Sequence, residues 1–234
     1  MFKPVQKIAA IHDLSGVGRV SLSTVFPVFS TMGIQVCALP TAVLSSHTQY
    51  KGVKHISLDD QMKEFIQHWK ELDVKFDAIY SGYLGSVHQI DIVRDFIDDV
   101  RQKDQLVVVD PVMADNGKLY STFNDDLVIE MRRLIEKADV ITPNLTEAYF
   151  LIDEDYKENV SDEEAKSMAL KLSKKGPDIV IITSVQEENS SQTAAIAYHR
   201  KTERFWKVAI DYLPASYPGT GDTFTSVVTA ALLQ

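Results

Sequence analysis

Near the end of the chain, Gly219, Thr220, Gly221 and Asp222 stand in a row, followed by Phe224, Val227, Val228, Ala231 and Leu232 at helical spacing. Glycines allow a tight turn and a close approach of backbone to a ligand. The spacing after them predicts a helix that begins at the glycines and buries its apolar face. A helix start leaves N–H groups without intrahelical acceptors and carries partial positive charge, which suits an anion. Binding an anion does not require a carboxylate beside it. Asp222 makes sense as a base that takes a proton from a hydroxyl while backbone dipoles stabilise charge on a phosphoryl group. The same residues also satisfy a plainer reading, a glycine turn with an aspartate favourably placed at a helix start.

Other residues of the same character stand where apolar runs end. Lys7 to Ile11 runs into His12 and Asp13, then the turn Ser15, Gly16, Val17, Gly18; Phe76 to Tyr80 runs into Ser81, Gly82 and Tyr83; Leu106 to Val109 stops at Asp110 and Pro111. In open parallel sheets ligands bind beyond the carboxyl ends of strands, so Asp13, Tyr83 and Asp110 are expected to converge. Thr41 to Tyr50, with Ser45, Ser46, His47, Thr48 and Gln49, suits a pocket wall, although a solvated loop would look the same. A glycine-containing loop carries Asp115, Asn116 and Gly117. Asn144 and Glu147 have the spacing of a helix-capping box, as do Ser161 and Glu164, so spacing alone favours a cap over a metal-related role. Asp153 to Glu158 reads as a solvated acidic surface.

The elements that must position these residues alternate. After the first glycine turn, Leu22, Val25, Phe26, Phe29 and Met32 mark a helix closed by Gly33, and Ile34 to Leu39 returns as a strand. This βαβ unit is not a dinucleotide fingerprint, because the third glycine is missing and Cys37, Ala38 and Leu39 stand where an acidic residue is needed. Met62, Phe65, Ile66 and Trp69 mark a second helix, Val93, Phe96, Ile97 and Val100 a third, and Val128, Met131 and Ile135 a fourth. Val140 and Ile141 form a short strand before the helix that starts near Asn144. Ala169 and Leu172 belong to a helix ending at Gly176 and Pro177, and Ile179 to Ile182 is a strand closing on Thr183 and Ser184. Thr193 to Tyr198 and Arg204 to Val208 read as an antiparallel hairpin. The expected fold is one α/β domain over residues 1–234, three-layered, with a mainly parallel central sheet and helices on both faces.

Composition narrows the partners. Hydrophobic residues make up 45% and charged residues 24% of the 234 residues, which is ordinary for a globular protein with a sizeable core. A net charge of −9 disfavours nucleic acid and anionic membrane surfaces, so a phosphate ligand needs a local site and a divalent cation. Cys37 is the only cysteine, which rules out an internal disulfide; it reads as a buried thiol in a reducing compartment, hence cytoplasmic. No signal-peptide pattern or bilayer-spanning apolar run is present.

Together, Ser15 to Gly18, Ser46-His47-Thr48, Ser81-Gly82-Tyr83, Asp110-Pro111-Val112, Thr142 to Glu147 and Gly219 to Asp222 resemble the ribokinase-like superfamily, specifically its pyridoxal (vitamin B6) kinase branch. The resemblance spans essentially the whole chain and rests on the order and spacing of motifs that are individually weak. It implies transfer of the γ-phosphoryl of ATP to the 5′-hydroxymethyl group of pyridoxal, pyridoxine or pyridoxamine. Gly219, Thr220 and Gly221 would form the anion hole and Asp222 the base. Ser15, His47, Thr48 and Tyr83 would line the vitamer site, with His47 either reaching the ring or bracing its loop. Asp110, Asp115, Asn144, Thr183 and Ser184 would lie by the nucleotide, with Glu147 and Asp110 placing magnesium. The resemblance also leaves room for a monovalent cation and implies a homodimer. Hydroxymethylpyrimidine kinases of thiamine synthesis share most of these motifs; Thr223, where those enzymes commonly carry cysteine, leans toward vitamin B6. Relatives continue through more helix past the position of Gln234, so the C-terminal part of the fold is expected to be missing and adenine contacts from it cannot be named.

Overall fold

The computed structural model describes residues 4–186, 190–215 and 217–234. In chain order the elements are β1 (Lys7–Ser15), α1 (Leu22–Thr31), β2 (Gln35–Leu44), β3 (His55–Ser57), α2 (Asp59–Glu71), β4 (Ala78–Ser81), α3 (Val87–Val100), β5 (Leu106–Val109), β6 (Ala114–Asp115), β7 (Lys118–Leu119), α4 (Asp125–Ile135), β8 (Val140–Ile141), α5 (Leu145–Ile152), α6 (Asp162–Ser173), β9 (Ile179–Gln186), β10 (Gln192–His199), β11 (Arg204–Asp211) and α7 (Thr220–Leu233). They group into two compact units, Met1–Asp110 with Tyr217–Gln234, and Pro111–Ser216. The expected α/β class, with mainly parallel strands and flanking helices, holds.

In the first unit the strands run in the order β5-β4-β1-β2-β3, parallel except for the edge strand β3. Crossovers between parallel strands are right-handed. The step from β1 to β2 and the return from β2 to β4 run in opposite directions, so α1 falls on one face and α2 and α3 on the other. Accordingly α1 packs with α7 and α2 with α3. Ile8 to Ile11 on β1 and Ala78 to Tyr80 on β4 are fully buried, which is why both read as unbroken apolar runs.

Several expectations for this unit need correction. The stretch from Thr41 begins as strand, because β1 continues beyond His12 and a register shift lets Leu14 and Ser15 pair with Val43 and Leu44. Phe26 and Phe65 turn outward, and Cys37 is half-buried rather than buried. The buried face of α7 is Thr225, Ser226, Thr229 and Ala230, whereas Val227 and Leu232 are exposed. Two of its hydroxyls are satisfied within the unit: Thr229 donates to the Thr225 carbonyl at 2.7 Å and Thr225 to Asp110 at 3.3 Å. Small side chains therefore set the phase of this helix, and the large aliphatics fall on its other side.

The second unit has the order β11-β10-β9-β8, with β8 and β9 parallel and the rest antiparallel. Helix α6 packs on β9 and β10, over Val180, Ile182, Ile196 and Tyr198, all buried. The expected hairpin is present as β10 and β11. A second, unexpected hairpin pairs β6 with β7, its turn made by Asn116 and Gly117 at φ 50° and 76°. Both turn positions need left-handed backbone, which asparagine and glycine supply most readily. Strand β9 runs on through Thr183 and Ser184 to Gln186.

Helix α6 begins with a complete capping box between Ser161 and Glu164. Ser161→Ala should lower the unfolding free energy by about 1 kcal/mol in chemical denaturation, the usual cost of losing a hydroxyl cap.

Candidate active site

In the first unit the site is built around the start of α7. Gly219 caps the helix at φ 85°, and a Cβ there would overlap the carbonyl oxygen of Arg19 and sit 3.2 Å from Thr24 Oγ1. Only glycine allows the loop after β1 to lie so close to this helix start. The Thr223 hydroxyl donates back to the Gly219 carbonyl at 2.8 Å. Among the described residues no side chain caps α7, so the first-turn N–H groups of Thr220, Gly221 and Asp222 are left for an anion.

Asp222 Oδ2 accepts the Ser21 N–H at 2.8 Å. The Ser21 hydroxyl donates to Asp13 Oδ1 at 2.5 Å, and Ser15 donates to Asp13 Oδ2 at 3.2 Å. One serine therefore bridges two carboxylates, from a left-handed backbone at φ 50° that is unusual for a residue other than glycine. Burial raises Asp222 to about 6; the Ser21 N–H opposes the rise and the Asp13 charge adds to it. Asp13 is also raised by burial, against the Ser21 and Ser15 hydroxyls. His12, fully buried on β1, is lowered to about 3 by burial and is neutral at physiological pH. Asp110, just past β5, receives the Thr225 hydroxyl, and a Cβ on Gly221 would stand 3.9 Å from Asp110 Oδ2. The unit thus gathers Asp13, Asp110 and Asp222, the first two as the strand-end argument expected.

The other residues expected to line the vitamer site stand in neighbouring loops. Ser15 is held on Asp13. The His47 ring packs where a side chain on Gly18 would have to go, its backbone N–H donates to Val17 at 3.0 Å, and Thr48 follows in an exposed turn. These contacts make His47 a brace between two loops. Tyr83 lies two residues past β4, packed beside Gly85.

The second unit carries a separate cluster. Asn144 Oδ1 accepts the Glu147 N–H at 2.9 Å and Glu147 Oε2 accepts the Asn144 N–H at 2.8 Å, the complete capping box of α5. The same two side chains reach the β6 segment: Glu147 Oε1 accepts the Met113 N–H at 3.1 Å, and Asn144 Nδ2 donates to the Ala114 carbonyl at 2.8 Å. Thr183 joins them through a bridge to Asn144 and a 2.9 Å hydrogen bond from its N–H to Pro143. Asp115 and Ser184 stand apart, exposed, the first accepting the Asn116 N–H at 2.9 Å. Among the described residues no three His, Cys, Asp or Glu side chains cluster closely enough to hold a metal ion. Magnesium takes much of its octahedral shell from water and phosphate oxygens, so one buried carboxylate fixed in place, such as Glu147, fits its needs.

His12, Ser21 and the Arg19 carbonyl were not assigned roles from sequence. His12 and Asp13 at the end of an apolar run were a usable signal. Arg19 acts through its backbone and Ser21 partly so, through the N–H on Asp222, and those contacts leave no trace in residue type.

The phosphomethylpyrimidine kinase family model matches residues 26–234. The chain belongs to this family. It is 30% identical over 215 residues to a pyridoxal kinase of Arabidopsis thaliana, covering 88% of this chain and 67% of that protein. It is also 30% identical over 236 residues to the pyridoxal kinase PdxY of Leifsonia xyli, covering 96% and 80%. The chain thus spans about two thirds of the length of its plant relative. A Bacteroides thetaiotaomicron protein assigned as a phosphomethylpyrimidine kinase, and solved in a crystal form with pyridoxal, superposes with a TM-score of 0.95 at 59% identity, covering 99% of this chain and 81% of that one. The ribokinase-like fold and the pyridoxal kinase branch read from the motifs agree with these relatives. Among the described residues no helix is long and apolar enough to cross a membrane.

Gly219→Ala should be strongly destabilising, because the left-handed backbone costs about 1–2 kcal/mol on its own and the clash with Arg19 adds to it. A lowered unfolding midpoint, with the start of α7 displaced from Ser21, is the expected outcome.

Proposed function

We propose that this chain is an ATP-dependent kinase that transfers the γ-phosphoryl group to the 5′-hydroxymethyl group of pyridoxal, pyridoxine or pyridoxamine. The observation that carries the reading is Asp222, a largely buried carboxylate with its side chain 13% exposed, raised to about 6 and held by the Ser21 N–H within the first turn of an uncapped helix start. A base poised near neutral pH beside anion-binding amides suits phosphoryl transfer, which asks mainly for positioning and charge stabilisation. The vitamer hydroxyl gives its proton to Asp222, its oxygen bonds to the γ-phosphorus as the bond to the ADP oxygen breaks with its electron pair, and the amides of Thr220, Gly221 and Asp222 take up the phosphoryl charge. Ser15, Thr48 and Tyr83 hold the ring, and His47 fixes the loop that carries Thr48. In the second unit Asn144 and Thr183 contact the nucleotide. Glu147 would help to hold magnesium, which would supply neutralisation of the phosphate charge. The vitamer assignment is supported by the named pyridoxal kinases among the relatives and by the Bacteroides structure with pyridoxal.

A non-catalytic vitamer or nucleotide carrier would need no buried base. Hydroxymethylpyrimidine is the competing acceptor, because the matching family model is described by that activity. The reading extends to a cytoplasmic location, in keeping with the single cysteine, and to a homodimer, which rests on the family resemblance alone. ATP consumption measured with magnesium against the B6 vitamers and hydroxymethylpyrimidine should favour the vitamers, and a clear preference for the pyrimidine would overturn the assignment.

Asp222→Asn should reduce kcat by about 10²–10⁴-fold with little change in either KM. Asp222 must be ionised to accept a proton, so kcat/KM should fall as pH drops through about 6. Burial also sets a stability slope. With a folded-state value above the ordinary 3.8, the folded chain keeps a proton that the unfolded chain has released, so this group makes stability fall as pH rises from about 4 to about 6. Asp222→Asn should remove that contribution in denaturation curves taken across the window.

A further inference from the structure

His12 is fully buried on β1, and among the described residues neither Nδ1 nor Nε2 has a hydrogen-bond partner. A buried polar group without a partner costs stability, and such groups in native structures call for an explanation. The ring is seated deliberately. Gly82, just past β4, leaves it space, since a Cβ there would overlap Nδ1 and Cε1, and Tyr80 meets it edge-on at 4.3 Å between ring centroids. This packing places Nδ1 3.9 Å from Asp222 Oδ1, while Oδ2, the other oxygen of the same carboxylate, is already anchored by Ser21. The gap exceeds a hydrogen bond, but a small rotation of the carboxylate about its anchored oxygen would close it.

We propose that His12 is a positioning residue for Asp222, its neutral ring donating Nδ1–H to Oδ1 so that both carboxylate oxygens are fixed while the acceptor hydroxyl is deprotonated. The proposal rests on the kinase reading for its catalytic consequence but not for the contact itself. The chemistry balances without His12 changing state. The hydroxyl proton passes to Asp222, the hydroxyl oxygen forms the new bond to phosphorus, the bond to the leaving ADP oxygen breaks with its electron pair, and the imidazole keeps its proton. Hydrogen bonding to the ionised carboxylate favours that form, opposing burial and the nearby Asp13. The other titratable groups facing this cluster are Tyr80 on β4 and Asp110 past β5, both of which interact electrostatically there.

The test uses the full chain with His12→Phe, which fills the space and removes the donor, and His12→Asn, which restores a donor near the Nδ1 position. Followed by carboxylate carbon NMR, the titration of Asp222 should move up by about one pH unit in His12→Phe and return toward the parent value in His12→Asn. In His12→Phe kcat should drop about tenfold at unchanged KM. A merely structural histidine would leave the Asp222 titration unmoved. The ring nitrogen spectrum of the unsubstituted chain gives a readout independent of any variant, and should show the proton on Nδ1. A bare Nδ1, or an Asp222 titration unchanged by His12→Phe, overturns the proposal. If the Asp222 shift appears in a chain without kinase activity, the positioning role stands and the kinase reading fails.

Discussion

The hydrogen bond from the Ser21 N–H to Asp222 joins residues 201 positions apart, and the geometry of the first unit depends on it. It holds the start of α7 against the loop after β1, where the close approach of Gly219 to Arg19 leaves no space for a side chain. It also removes most of the water from Asp222 while giving the carboxylate one donor. The competition between those two effects sets its proton affinity. A second donor would lower that affinity and a drier site would raise it. The same contact therefore fixes both where the base stands and how strongly it holds a proton.

Ser21 works in two directions, with its N–H on Asp222 and its hydroxyl on Asp13. Two carboxylates gathered in one buried region repel each other and both lose solvation, an arrangement that a fold selected for stability alone would avoid. The left-handed backbone at Ser21 adds to the cost. The continuous apolar strands β1 and β4, buried on both faces, supply the rigid support that makes such a site tolerable. In the second unit, by contrast, the cluster at Asn144 and Glu147 satisfies backbone groups.

Much of this was legible from residue order. Strand β5 ending at Asp110, the helix start at Gly219 and the capping box at Asn144 are local patterns, and the structure contains each of them. The misreadings share a cause. The large aliphatics of α7 predicted its buried face, but the hydroxyls of Thr225 and Thr229 find acceptors within the unit and so tolerate burial better than their polarity suggests. The extension of β2 through Leu44 depends on pairing with a neighbour, which polarity along one segment does not record. The contacts of Ser21 and the seating of His12 against Gly82 are long-range and partly made by backbone, so no local spacing encodes them.

Glu147 closes the cap of α5 with one oxygen and holds the Met113 N–H with the other. Any cation or bound water that draws on this carboxylate shares it with the Asn144 and Met113 N–H groups, which belong to different segments of the unit. The arrival of charge at Glu147 and the tightness with which the β6 segment is held are therefore linked quantities. By reciprocity, loosening that segment must change the affinity for the cation by the same factor.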